Sequence, residues 1–286
     1  MSYGPETVLE GIGMSSEVSV VVGAGGMGRA IAARIGSGRH LLLADFDERL
    51  LAETAAQFTE QGFEVSTRQV DAGDSESVAA LAAAAAEAGP IRHLVHTAGV
   101  SPVHASTEVI VRVDLCGVAY VLDEFAPRMA PGGAGVVIAS MAGHMAQLTA
   151  EQEAALAATP TAELADLPFL NAAAGLNPMH AYPVAKRGAI IRVQAAAGAW
   201  GRAGARVNSI SPGVISTAMG QDELAGESGA RMRQMVDSSP TGRVGTAEDI
   251  AAAAAFLLDP ASSFITGTDL LVDGGVVATM RAAMRG

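Results

Sequence analysis

Short β-branched and leucine-rich runs alternate along this chain with longer stretches whose apolar residues recur at helical spacing. In "EVSVVVGAGGMGRAIAARIG" (17–36) an apolar strand meets a glycine cluster and then an alanine- and isoleucine-rich helix. "HLLLADFD" (40–47) predicts a second strand ending in two aspartates, and "ERLLAETAAQFTEQG" the helix after it. "FEVSTRQVD", "IRHLVHTAG" (91–99) and "AGVVIASMAG" (134–143) predict three more strands, with "SESVAALAAAAAEAG" and a long segment ending near Met129 as the helices between them. Such alternation implies a parallel sheet covered by helices on both faces, with right-handed crossovers. Over 144–178, rich in Ala, Thr and Pro, the rhythm breaks. It resumes with a helix from about Tyr182 to Trp200, a strand in "GARVNSISPG", helical segments at 220–237 and 247–258, and a last strand in "DLLVDGG". No repeat or linker interrupts the pattern, so one domain is expected over 17–286, after a flexible arm over 1–16.

Composition narrows the class. Half of the 286 residues are hydrophobic, enough for a large core, yet no apolar run approaches the ~20 residues that span a membrane. The net charge of −12 repels nucleic acid and anionic membranes, so neither is an expected partner. No signal peptide is expected, and the single cysteine, Cys116, fits a reducing, cytoplasmic setting in which it is an inert core residue. No metal is expected.

The glycine cluster changes the picture most. "GAGGMG" holds G-x-G-x-x-G as Gly23, Gly25 and Gly28, with Gly26 and Met27 completing the loop. It follows a strand and opens a helix, the context in which a helix N-terminus receives a pyrophosphate. Asp45 closes the second strand, 17 residues after Gly28 (45 − 28). A carboxylate there accepts from both ribose hydroxyls of NAD and repels a 2′-phosphate. With Phe46 next and no Lys or Arg in the loop, NAD is expected over NADP, and Asp47 is the better cap for the next helix.

Six motifs in order then carry a resemblance: "GAGGMG", "DAGD" (71–74), "HTAG" (96–99), "IASMAG" (138–143), "YPVAK" (182–186) and "SPGVIST" (211–217). With the C-terminal run "GRVGTAEDIAAAAAFLLDPASSFITGTDLLVDGG", the chain resembles the short-chain dehydrogenase/reductase family. The resemblance implies a doubly wound Rossmann-type α/β domain of about seven parallel strands, assembled as a homo-dimer or homo-tetramer. It implies that Asp71 and Ala72 meet adenine and that Thr97, Ala98 and Gly99 pass the adenosine ribose. Pro212, Gly213, Ile215 and Thr217 would hold the nicotinamide. Four departures stand out: a glycine loop one residue short, His96 and Thr97 in place of two asparagines, Asp114 where the family has asparagine, and the serine spacing. His96 reads as structural. Asp114 would keep the geometry of the proton route to the lysine but add a charge.

Tyr182 and Lys186 lie four apart, so on a helix they share a face ~5–6 Å apart. A phenol of pKa ~10 is a poor base at neutral pH. An ammonium at ~4 Å and effective dielectric ~20 attracts the phenolate by roughly 4 kcal/mol, which brings Tyr182 into range for acid or base work. Lys186 would also grip the nicotinamide ribose, and Pro183 suggests that Tyr182 sits at the helix mouth. The serine that holds the substrate oxygen is Ser140 by local context, 42 residues before Tyr182 (182 − 140), where the family has about a dozen. No serine lies between 141 and 181, so roughly 30 residues have been inserted. Thr149 with Gln152 forms a capping-box spacing and Thr159-Pro160 a second start, so two short helices are expected. Together with 218–238, a substrate lid carrying Met219, Met232 and Met235, the insert over 144–178 would cap a large apolar pocket, or else pack against the domain or a second subunit. His144 and His180 at its ends are expected to face solvent.

The reading that follows is an NAD(H)-dependent oxidoreductase interconverting a secondary alcohol, such as a hydroxysteroid, and a ketone. Ser140, Tyr182, Lys186 and Asp114 form its catalytic group. A non-catalytic NAD-sensing protein on the same fold stays open, as does an epimerase or lyase.

Overall fold

The computed structural model describes residues 16–172, 175–226 and 229–284, so the arm expected over 1–16 lies outside the described residues except for Ser16. Seven parallel strands form one sheet in the order β3-β2-β1-β4-β5-β6-β7. They are β1 Val18–Val22, β2 His40–Asp45, β3 Glu64–Gln69, β4 Ile91–His96, β5 Met129–Ile138, β6 Arg206–Pro212 and β7 Asp269–Val272. The chain turns back after β3 to lay β4 against β1, which opens the switch-point crevice where open α/β sheets bind ligands. All five residues of β1 are buried, as a strand covered on both faces requires.

Helices α1 (Gly26–Ile35), α2 (Glu48–Glu60) and α10 (Ala247–Leu258) cover one face through Ile31, Leu51, Phe58, Ile250 and Leu257. Helices α3 (Ser75–Ala88), α5 (Gly117–Phe125) and α7 (Pro178–Arg202) cover the other, around Val78, Leu81, Leu122, Phe125, Ile190 and Trp200. Asp47 caps α2 as expected, accepting from the backbone N–H groups of Arg49 and Leu50. The long segment after β4 is a one-turn helix α4 (Thr107–Ile110), a π-helical stretch Val111–Cys116 and α5. Such π-helical stretches are frequent at functional sites, and this one carries Asp114.

The insert forms α6 (Ala150–Ala158), opened by the expected capping box of Thr149 and Gln152. Its second half does not form the expected helix. It makes 3-10 turns over Thr161–Asp166 and Pro168–Leu170, the first without a side-chain cap. Pro168 explains the break, since it offers no N–H and forces Leu167 into an extended backbone (φ −58°, ψ 125°). Leu156, Leu164 and Leu170 are buried against Ile110, Leu115, Ala119, Ala185 and Ile191, so the insert covers the outer face of α5 and α7. Arg192 of α7 fastens it, donating to the carbonyls of Leu156 and Thr159 and to Thr161 Oγ1. Helices α8 (Ala218–Ala225) and α9 (Gly229–Asp237) follow β6, and α11 (Val276–Ala283) follows β7. Among the described residues no helix is long and apolar enough to cross a membrane.

Candidate active site

Gly23, Asp45, His96, Ser140 and Pro212 stand at the carboxyl ends of β1, β2, β4, β5 and β6, along one edge of the sheet. The glycine loop is built for close approach. Gly23 has φ +101°, and a Cβ there would fall 2.5 Å from Ala98 N and Thr97 Oγ1. A Cβ on Gly28 would fall 1.8 Å from the Gly23 carbonyl, whereas one on Gly25 would meet nothing within 4 Å. Gly25 opens α1 without a side-chain cap, so the first amides of the helix face open space of the kind a pyrophosphate fills. Thr97 Oγ1 donates to the Gly23 carbonyl (2.8 Å). Asp45 Oδ2 accepts from Ala24 N (2.6 Å) and Oδ1 from Asp47 N (3.0 Å), which fixes the carboxylate beside the loop. Met27 is half-buried beside the loop, and Phe46 is exposed. Ala72 is buried, and Asp71 is engaged by Gly73 N and by Arg112 (2.8 Å), an ion pair that the sequence did not reveal. These residues fit a dinucleotide.

The catalytic candidates converge. Ser140 follows β5 and starts a 3-10 turn, Met141–His144, its Oγ accepting from Ala142 N (3.1 Å). That turn lies directly on α7: a Cβ on Gly143 would be 2.9 Å from Arg187 N and the Lys186 carbonyl carbon. The insert therefore leaves and returns without parting Ser140 from Tyr182, and both side chains line one cavity. Lys186 Nζ lies 5.5 Å from the centre of the Tyr182 ring and 3.5 Å from Asp114 Oδ1. Gly99 admits this pair, for a Cβ there would be 2.8 Å from Asp114 Oδ1 and 3.0 Å from Lys186 Nζ. Asp114 is wholly buried, and Oδ1 also accepts from Val100 N (2.9 Å).

Helix α7 begins a turn earlier than the sequence suggested. Pro178 is its first residue, and Asn177 caps it by accepting from His180 N. Pro183 thus lies inside the helix and Tyr182 in its second turn, not at its mouth. Pro183 cannot donate to the carbonyl four residues back, so the helix keeps its course there through its packing.

Two family profiles match the chain, "short chain dehydrogenase" over residues 17–154 and "Enoyl-(Acyl carrier protein) reductase" over 146–277. "Short-chain dehydrogenase/reductase bsc3" of Alternaria brassicicola is 39% identical over 271 residues, covering 93% of this chain and 97% of that protein. The chain belongs to the short-chain dehydrogenase/reductase family. A second relative, "NADP-dependent mannitol dehydrogenase" of Aureobasidium melanogenum, is 31% identical over 96% of this chain and 97% of its own length. The solved structure of levodione reductase superposes with a TM-score of 0.73 at 26% identity, covering 93% of this chain and 99% of that one. As a short-chain dehydrogenase/reductase, the protein is an oxidoreductase with a nicotinamide cofactor.

The electrostatics of this short-chain dehydrogenase/reductase depart from the simple Tyr–Lys picture. Burial pushes the Tyr182 phenol up; Lys186 and the Ser140 hydroxyl pull it down, while Asp114 and Glu223 push it further up. The net direction is upward, opposite to the expected lowering. Burial opposes the charge on Lys186, but Asp114, Tyr182 and Glu223 outweigh it and hold the ammonium protonated. Burial also raises Asp114, with Lys186 and the Val100 N–H opposing. His96 is fully buried, neither ring nitrogen has a hydrogen-bond partner, and burial followed by Lys186 holds it down at about 3. It is a neutral packing residue. His144 does not face solvent: its Nε2 lies 2.7 Å from Asp269 Oδ2, while His180 is exposed.

A cavity of about 470 Å³ opens over Ser140 and Tyr182. Pro212, Gly213, Ile215 and Thr217 form one wall, and Thr217 also caps α8 by accepting from Gly220 N. Met27, Met141, Met145, Met219, Met232 and Met235 supply much of the rest, a polarizable lining that adapts to apolar shapes. Glu223 on α8 also lines it and is held by Ser101 Oγ, which donates to Oε1 (2.7 Å). Glu223 lies 41 residues beyond Tyr182 (223 − 182) in an exposed-looking helical stretch, so no local signal marks it.

Proposed function

We propose that the protein interconverts a bulky, apolar secondary alcohol, such as a hydroxysteroid, and its ketone with NAD(H). One observation carries the chemistry: Ser140 and Tyr182, 42 residues apart (182 − 140), line one cavity, with Lys186 Nζ 5.5 Å from the Tyr182 ring. In oxidation, Tyr182, once deprotonated against the burial that pushes its phenol up, takes the hydroxyl proton while the Ser140 hydroxyl donates to the substrate oxygen. The Lys186 ammonium stabilises the phenolate, and Asp114 keeps that ammonium charged. A nicotinamide bound in the cradle supplies the hydride acceptor, so the alcohol loses one hydride and one proton. In reduction Tyr182 returns the proton. The methionine lining supports an apolar substrate over a polyol, which would leave its hydroxyls without partners.

Asp45, tied to the glycine loop, supports NAD over NADP, although a relative is described as NADP-dependent. A panel of secondary alcohols with each nucleotide, read by absorbance of the reduced cofactor, tests the reading. NAD⁺ is expected to exceed NADP⁺ by at least tenfold in kcat/KM, and the reverse preference would overturn the assignment. Tyr182→Phe is expected to lower turnover by about 10³-fold or more with nucleotide binding intact. Nucleotide binding with no turnover of any substrate would turn the reading to a sensing protein. The site of action proposed is the cytoplasm, and the working unit a homo-oligomer whose contacts lie away from the helix face covered by the insert.

A further inference from the structure

Beside the catalytic cavity lies a second one of about 420 Å³, between the two ends of the insert and the first turns of α7. Met145, His180 and Pro183 line both cavities, so the two share a wall within one residue of Tyr182. The remainder of the second chamber is Ala146, Leu148, Phe169, Leu176 and Val184, with Gln147 and Gln152 and no carboxylate or ammonium. Gln152 Oε1 is committed to Thr149 N (2.9 Å), so its amide N–H groups are what it offers the chamber.

We propose that this chamber is a second substrate subsite, built by the insert, that takes an uncharged, apolar portion of the substrate remote from the reacting carbon. This rests on the alcohol–ketone reading above. The residues expected to hold the nicotinamide form one wall of the catalytic cavity, so the bound ring takes up part of its volume. A bulky substrate then needs further room, and the adjoining chamber supplies it within the size range of ligand pockets. A lining without carboxylate or ammonium favours an uncharged tail over a charged one, which would find few partners there. The distal unit is therefore a hydrocarbon body, and a carbonyl, ether or hydroxyl oxygen on it would accept from the Gln152 amide.

Deleting the insert does not test this, since the insert also covers α5 and α7. Filling the chamber does. In a series of methyl ketones of increasing length, kcat/KM is expected to rise by about fourfold for each methylene that enters the chamber. Leu148→Trp is expected to abolish that rise, lowering the long ketones by at least tenfold and leaving the shortest within twofold. Phe169→Ala, which enlarges the chamber, is expected to move the optimum to longer ketones. Turnover of the shortest ketone by the unaltered protein with a long-to-short ratio unmoved in both variants would overturn the subsite while leaving the alcohol–ketone reading intact. A binding readout stands apart from activity: N-phenyl-1-naphthylamine, a neutral two-ring probe, is expected to bind saturably. Its Kd should rise at least tenfold in Leu148→Trp and stay unchanged in Tyr182→Phe. Equal Kd in the unaltered protein and Leu148→Trp would also overturn the subsite, whether or not any ketone turns over.

Discussion

Lys186 is held by three acidic neighbours, Asp114, Tyr182 and Glu223, and only the pairing with Tyr182 could be read from spacing. Asp114 was marked as a departure from the family pattern, but its full burial and its bond to Val100 N belong to the π-helical stretch, which no local residue pattern announces. His96 shows the same limit. Its place in "HTAG" suggested a structural role, and only the sheet shows how dry that role is, with the ring held neutral down to about 3. Its consequence for acid stability has a definite sign. The unfolded histidine takes up its proton near pH 6.5 and the folded one near 3, so His96 favours the fold fully above pH 6.5. That contribution is lost as pH falls, by about 1.4 kcal/mol per pH unit. Between pH 7 and pH 5 this amounts to about 2 kcal/mol, and His93, held down at about 4, adds a similar loss. His96→Asn is expected to reduce the stability lost between those two pH values by about 2 kcal/mol, measured by urea unfolding at each. An undiminished loss would mean that His96 is already protonated in the fold.

Among the elements, helices with strong periodicity and a polar cap were legible to within a turn: Asp47 capped α2, and Thr149 with Gln152 opened α6. In helix α7, Pro183 resembles a start signal, whereas Asn177 and Pro178 supply the real one. The second half of the insert misled for a related reason, with Pro168 cutting short what Thr159-Pro160 seemed to begin. What holds α6 in place is a close approach that only tertiary structure reveals. Gly188 of α7 has no room for a Cβ, which would fall 2.5 Å from Leu115 and 3.4 Å from Leu156. Leu156 is fully buried there. Leu156→Ala is expected to cost about 2–5 kcal/mol in chemical denaturation, as a cavity between two helices would. A loss below about 1 kcal/mol would show that the insert packs loosely.

Across the whole molecule, the helix-covered parallel sheet followed from the alternation of elements and its seven strands from the family resemblance, whereas the strand order came only with the structure. The insert's location did not follow, because the sequence shows that 144–178 is additional but not which face receives it. The structure lays it over α5 and α7, burying Leu156, Leu164 and Leu170 within the chain. Replacing 146–176 by a short turn would uncover Leu115, Ala119 and Ile191. Such a protein is expected to self-associate beyond the mass of the full chain, as light scattering after size exclusion would report. An unchanged mass would show that the cover is dispensable for solubility.

The contact of Gly143 with the backbone of α7 has one more implication, for how such a protein can change. Because that clasp holds the turn after Ser140 against the helix that carries Tyr182, the segment between them is in effect a closed loop. Lengthening a loop from about a dozen to about 42 residues raises its closure entropy by only ~1 kcal/mol. The interval between serine and tyrosine is thus a place where whole segments can be exchanged at small thermodynamic expense, with the reacting groups left where they stand.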